Sequence, residues 1–128
     1  MALRSALINA MANAARKAQR SLTRDFNEVE QLQVSKKGPA DFVSAADRKA
    51  EKILHQELSK LRPDFGFIME EAGRIEAKDG KTYWVIDPLD GTTNFLHGIP
   101  HFAISIAVQR EGELIAGIVL DVIRDELF

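Results

Sequence analysis

The sequence predicts a mixed α/β (α+β) fold in which two long helices pack on a mainly antiparallel sheet. Three observations carry this. Apolar residues recur at three- and four-residue spacing through most of the first half. The second half instead holds short β-rich runs bounded by turn residues. Two of those runs meet at Arg110-Glu111-Gly112-Glu113, a hairpin signal.

The first helix is expected from about Leu3 to Phe26, with Leu3, Leu7, Ala10, Met11, Ala14, Ala15, Ala18 and Leu22 on its buried face. Leu32 to Ser35 alternates like a short strand, and Lys36 to Asp41 reads as a loop by its Gly-Pro pair. A second helix is expected from about Ala45 to Leu61. Ser44 stands at its N-cap, Asp47 in the capping-box position, and Pro63 follows its end. Gly66 to Met69 and Tyr83 to Ile86 read as short buried strands separated by a polar loop, Gly73 to Lys81. Thr92 to Leu96 reads as a short helix. Phe102 to Gln109 and Leu114 to Val122 form the hairpin, and Leu127-Phe128 begins another apolar run. A domain rarely stops as a strand starts, since that leaves an unpaired edge. The chain is therefore expected to be a fragment of a longer protein.

Composition narrows the function classes. The 128 residues are 45% apolar and 28% charged, with a formal net charge of -2, an ordinary globular balance. No dense Lys/Arg run is present, which argues against nucleic acid as the primary partner. No apolar run has spanning length and residues 1–15 lack an uninterrupted apolar segment, so no membrane partner and a cytoplasmic location are expected. Cysteine is absent, which excludes disulfides, thiolate metal sites and a cysteine nucleophile.

Chemistry concentrates in the run Trp84 to Asn94, where an apolar strand ends in Asp87-Pro88-Leu89-Asp90 and continues into Gly91-Thr92-Thr93. Pro88 biases Asp87 toward extended backbone, so the strand continues up to the carboxylate. Two gathered carboxylates repel unless cations lie between them. Mg²⁺ suits them, and the Leu89 carbonyl would be a further hard ligand. The competing reading is a surface turn, because Asp-Pro and Asp-Gly are common turn pairs. Glu70 and Glu71 follow the strand Gly66 to Met69 as Asp87 follows its own strand, and only one of the two can face inward. Gly91 and Thr92 open a helix whose N–H groups can hold a phosphate, or form an ordinary cap. Asp47 is either a capping residue or part of this site. His97 and His101 are separated by Gly98 and Pro100, so they do not share a helical face.

These segments together resemble the inositol monophosphatase family, closest to its bacterial extragenic-suppressor-type members. The likeness rests on Trp84–Phe95 (WVIDPLDGTTNF), Gly38–Asp47 (GPADFVSAAD), Phe67–Glu71 (FIMEE) and Pro100–Val108 (PHFAISIAV), in order. The resemblance implies a layered sugar-phosphatase fold and Mg²⁺-dependent, lithium-sensitive hydrolysis of a small phosphomonoester such as myo-inositol monophosphate. It implies that Glu70, Asp87 and the Leu89 carbonyl bind one metal, that Asp87 and Asp90 share a second, and that Glu70 helps hold a third. Thr92 with Asp47 would orient and deprotonate the attacking water, with Gly91 and Thr92 N–H groups on the phosphate and Lys36 nearby. Members are about twice as long and commonly dimeric, so a homodimer is expected of the whole protein and little activity of these residues alone. Sister phosphatases acting on fructose-1,6-bisphosphate, histidinol phosphate or a 3′-phosphoadenosine nucleotide share the metal core. A non-catalytic regulatory binding module is the alternative from another class.

Overall fold

In the computed structural model, which describes residues 5–32 and 39–128, two helices lie against one face of a six-stranded sheet. The helices are α1 (Ala6–Leu32) and α2 (Pro39–Leu61). The strands are β1 (Gly66–Met69), β2 (Gly73–Ile75), β3 (Thr82–Asp90), β4 (Ala103–Arg110), β5 (Glu113–Asp121) and β6 (Glu126–Leu127), with the one-turn helix α3 (Thr92–Leu96) between β3 and β4. The spatial order is β2-β1-β3-β4-β5-β6. Every neighbouring pair is antiparallel except β1 and β3, which run parallel. The expected fold class therefore holds.

Alanine dominates the helix contact. Ala14, Ala15 and Ala18 of α1 and Ala46 and Ala50 of α2 are buried, and small side chains let two helix axes approach closely. Met11, Leu22, Leu54 and Leu58 fill the space between helices and sheet. The sheet answers with Trp84, Ile86, Ile104, Ile106, Val108, Ile118 and Leu120, all buried. Register explains the match: Trp84 pairs with Val108 and Ile86 with Ile106, and Ile106 then pairs with Ile118. Alternation along each strand puts these residues on one face.

Three expectations about boundaries need correction. α1 continues to Leu32, so the strand expected from Leu32 loses its first residue to a helix; residues 33–35 of that strand lie outside the described residues. α2 begins at Pro39 rather than Ala45. Proline suits a first helical turn, where its missing N–H has no partner to lose, and Asp41 adds an acidic residue there. Ser44 is therefore inside the helix and caps nothing; its Oγ accepts a hydrogen bond from Arg48 Nη1 at 2.9 Å. Asp47 lies in the helix interior and cannot be a capping-box residue. Within the expected loop 73–81, Gly73 to Ile75 instead pairs with β1 as a short exposed edge strand. The hairpin turn is as the sequence indicates: Glu111 and Gly112 have φ of 52° and 84°, the pair of positive values a two-residue primed turn requires.

Two features position the strand ends that matter. The parallel β1–β3 register aligns Met69 with Ile86, so the next residues, Glu70 and Asp87, emerge side by side. Phe26, Phe95 and Phe102 pack with ring centroids 4.9 to 5.5 Å apart. That cluster seats α3 between α1 and the start of β4, fixing the Gly91-Thr92 corner. Among the described residues, no helix is long and apolar enough to cross a membrane.

Candidate active site

β3 carries both aspartates but presents them differently. Asp87 pairs with Ser105 and Asp90 with Ala103, so one extra residue bulges from β3 between them. Bulges re-aim side chains, and Pro88 lies within this one, where a missing N–H costs no ladder bond. Asp87 stands close enough to Glu70 to raise its carboxyl, and its Oδ1 accepts from the Leu89 N–H at 3.3 Å. The Leu89 carbonyl in turn accepts from the Thr92 hydroxyl at 3.2 Å. Asp90 instead borders a separate recess of about 260 Å³ with Gly91, Asn94, His101 and Asp121.

The helix layer adds two buried carboxylates. Asp47 is 5% exposed and Glu51, one turn on, 4%. Asp47 lines a cleft of about 320 Å³ with Ser44, Glu70, Glu71 and Thr92, and its Oδ1 is buried with no hydrogen-bond partner among the described residues. Glu51 is fully engaged: Oε1 accepts from the Glu71 N–H and Oε2 from the Ala72 N–H, both at 3.0 Å. Bonds of this charge-assisted kind contribute about 1.5–3 kcal/mol each.

Electrostatics register the crowding. Burial first, then the charges of Glu70, Glu71, Asp87 and Glu51, push the Asp47 carboxyl up from 3.8 to about 7. Burial, the hydrogen bond to Asp87 and its charge likewise raise Glu70 above the usual carboxylate range. Like charges gathered together do this.

The chain turns into α3 through Gly91, which has φ +102°. A Cβ there would stand 3.1 Å from both the His101 carbonyl and the Phe102 Cβ. Gly91→Ala should therefore lower unfolding free energy by about 1–3 kcal/mol, measured by denaturant titration; an unchanged midpoint would show that this corner tolerates a side chain.

The structure thus brings Asp47, Glu70, Asp87 and Thr92 to one side of the sheet end, with the Leu89 carbonyl tied to Thr92. It leaves Asp90 in the adjoining recess. Lys36 lies outside the described residues. Among the described residues, no three acidic or histidine side chains form a closed ligand set. Two carboxylates and a carbonyl still suit Mg²⁺, which takes one or two carboxylates and keeps waters, and the orphaned Asp47 oxygen points to an oxygen-seeking occupant. His97 ends α3 and His101 lies beyond it, so they share no helical face. Sequence reasoning missed Glu51. The available signal was a carboxylate one turn from Asp47, between Ala50 and Leu54 of the buried stripe.

A layered α/β frame thus carries acidic side chains beside a Gly-Thr turn. The chain belongs to the inositol monophosphatase family, whose profile matches residues 3–128. It is 61% identical over 125 residues to an inositol-1-monophosphatase of Mesorhizobium japonicum, covering 98% of this chain and 47% of that protein. It is 41% identical over 122 residues to the Nus factor SuhB of Escherichia coli, covering 95% of this chain and 46% of the relative. The crystal structure of the extragenic suppressor protein SuhB from Bartonella henselae superposes with a TM-score of 0.85 at 60% identity, over 97% of this chain and 48% of that one. The chain spans about half the length of the curated relatives it matches.

Proposed function

We propose that this chain is the metal- and phosphate-binding part of a Mg²⁺-dependent phosphomonoesterase that hydrolyses myo-inositol monophosphate to inositol and phosphate. The observation that carries the reading is that Glu70 and Asp87 follow the last parallel pair of β1 and β3, Met69 and Ile86, next to buried Asp47. Glu70, Asp87 and the Leu89 carbonyl would hold the first cation. Asp90, across the bulge from Asp87, would serve a second. Bound there, Mg²⁺ supplies Lewis-acid neutralisation of phosphoryl charge and makes water acidic enough to act as nucleophile. Asp47 and the Thr92 hydroxyl would orient the attacking water, and Asp47 would take its proton. The Gly91 and Thr92 N–H groups face the phosphate. Homodimerisation, a cytoplasmic location and lithium sensitivity belong to the same reading.

The experiment is phosphate release by the protein at its relatives' full length. Hydrolysis of myo-inositol 1-phosphate should require Mg²⁺ and stop with EDTA. Faster turnover of fructose-1,6-bisphosphate, histidinol phosphate or a 3′-phosphoadenosine nucleotide would move the assignment to a sister activity. Undiminished turnover in EDTA would refute the metal reading.

A second reading, a regulatory binding module, is favoured by the relatives named Nus factor SuhB. Asp90→Asn separates the two. Abolished hydrolysis with a retained cellular role would assign that role to docking.

A further inference from the structure

We propose that Glu51 is a positioning residue, a buried carboxylate fork that sets the place of Glu70 and couples it to Asp47. The inference rests on the reading of Glu70 as a cation ligand given above.

The connection from β1 to β2 is three residues long, Glu70-Glu71-Ala72, because Met69 pairs directly with Gly73. Glu70 is the first residue of that turn. Its neighbours in the turn are held from behind. Glu51 reaches from α2 and accepts the Glu71 N–H on one oxygen and the Ala72 N–H on the other, at 3.0 Å each. Two consecutive N–H groups therefore share one buried carboxylate. Gly73, with φ +81°, closes the turn.

Only a carboxylate suits this arrangement. It has two acceptor oxygens and no donor, whereas the amide of glutamine would turn an NH₂ group toward one of the N–H groups. Aspartate keeps the fork but shortens its reach by a methylene. The i, i+4 spacing of Asp47 and Glu51 places both on one face of α2. The same helix thus carries the water-orienting carboxylate and the anchor of the cation-binding turn, and keeps them in fixed relation.

The test uses the protein at its relatives' full length and Mn²⁺ as probe, followed by its electron paramagnetic resonance. Glu51→Gln should weaken Mn²⁺ binding by about 10–100-fold, the range for groups supporting a ligand. It should lower kcat more than it raises KM and speed hydrogen exchange at the Glu71 and Ala72 amides, with the circular dichroism spectrum unchanged. Glu51→Asp should recover part of the Mn²⁺ affinity. Unchanged Mn²⁺ affinity in Glu51→Gln overturns the proposal, provided Glu70→Gln weakens it. If Glu70→Gln also leaves Mn²⁺ binding intact, the cation reading itself fails. Unfolding of both Glu51 variants overturns the proposal as well, because Glu51 is then a folding residue.

Discussion

Asp47→Asn should make the metal-free protein more stable at neutral pH and nearly inactive when Mg²⁺ is restored. Both effects have one origin. Asp47 is buried on α2 with one oxygen unpartnered, and four carboxylates raise it to about 7 after burial has begun the shift. An acid raised in the folded state holds its proton there longer than in the unfolded chain. Its contribution is therefore fully present below about pH 3.8 and is lost as the pH rises through about 7. Metal-free wild type should lose stability across that window, and Asp47→Asn should lose less. At 1.36 kcal/mol per pKa unit, the difference at pH 8 amounts to roughly 2–4 kcal/mol, read from thermal melts in EDTA at several pH values. Mg²⁺ should stabilise both proteins, since it binds only the folded state. Turnover should fall about 10²–10⁴-fold, the usual scale for a general base. Parallel pH–stability curves for the two proteins would show that Asp47 is not the strained group.

Which parts of this arrangement could be read in the chain follows from what each depends on. The strand ending at Met69 and the first part of β3, up to Ile86, are visible as apolar runs, because burial of their side chains is a local pattern. That β1 and β3 are parallel neighbours is not, since pairing is a matter of topology. The start of α2 was misread because Ser44 and Asp47 satisfy a local capping pattern, while Pro39 equally well opens a helix. The choice fell to packing, where Val43 and Ala46 are buried against the core. Once α2 is extended, Asp47 loses its structural reading and becomes a buried charge facing Glu70. The bulge that sends Asp90 into its own recess depends on pairing with β4. Spacing alone suggested that Asp87 and Asp90 converge; strand alternation and the extra residue decide where each points.

Asp87→Asn should behave differently from Asp47→Asn, and the contrast separates cation binding from water orientation. Asparagine keeps the size of the side chain, and its amide oxygen can still accept the Leu89 N–H that Oδ1 now accepts at 3.3 Å. The Leu89-Thr92 corner should therefore survive. The charge opposite Glu70 disappears, so the Glu70 carboxyl should fall back toward its ordinary range, because Asp87 supplies the hydrogen bond and the largest neighbouring charge that raise it. The pair that would share a cation becomes a single carboxylate. We expect Mn²⁺ affinity to drop at least about 10²-fold, beyond the effect of losing a supporting group, and turnover to drop by about 10³-fold or more. Raising Mg²⁺ should restore part of the lost activity in Asp87→Asn. It should restore none in Asp47→Asn, which keeps both partners of the Glu70–Asp87 pair and should bind Mn²⁺ nearly as the wild type does. Equal Mg²⁺ dependence in the two variants would mean that Asp47 and Asp87 do the same job, and the division of labour argued from their positions would be wrong.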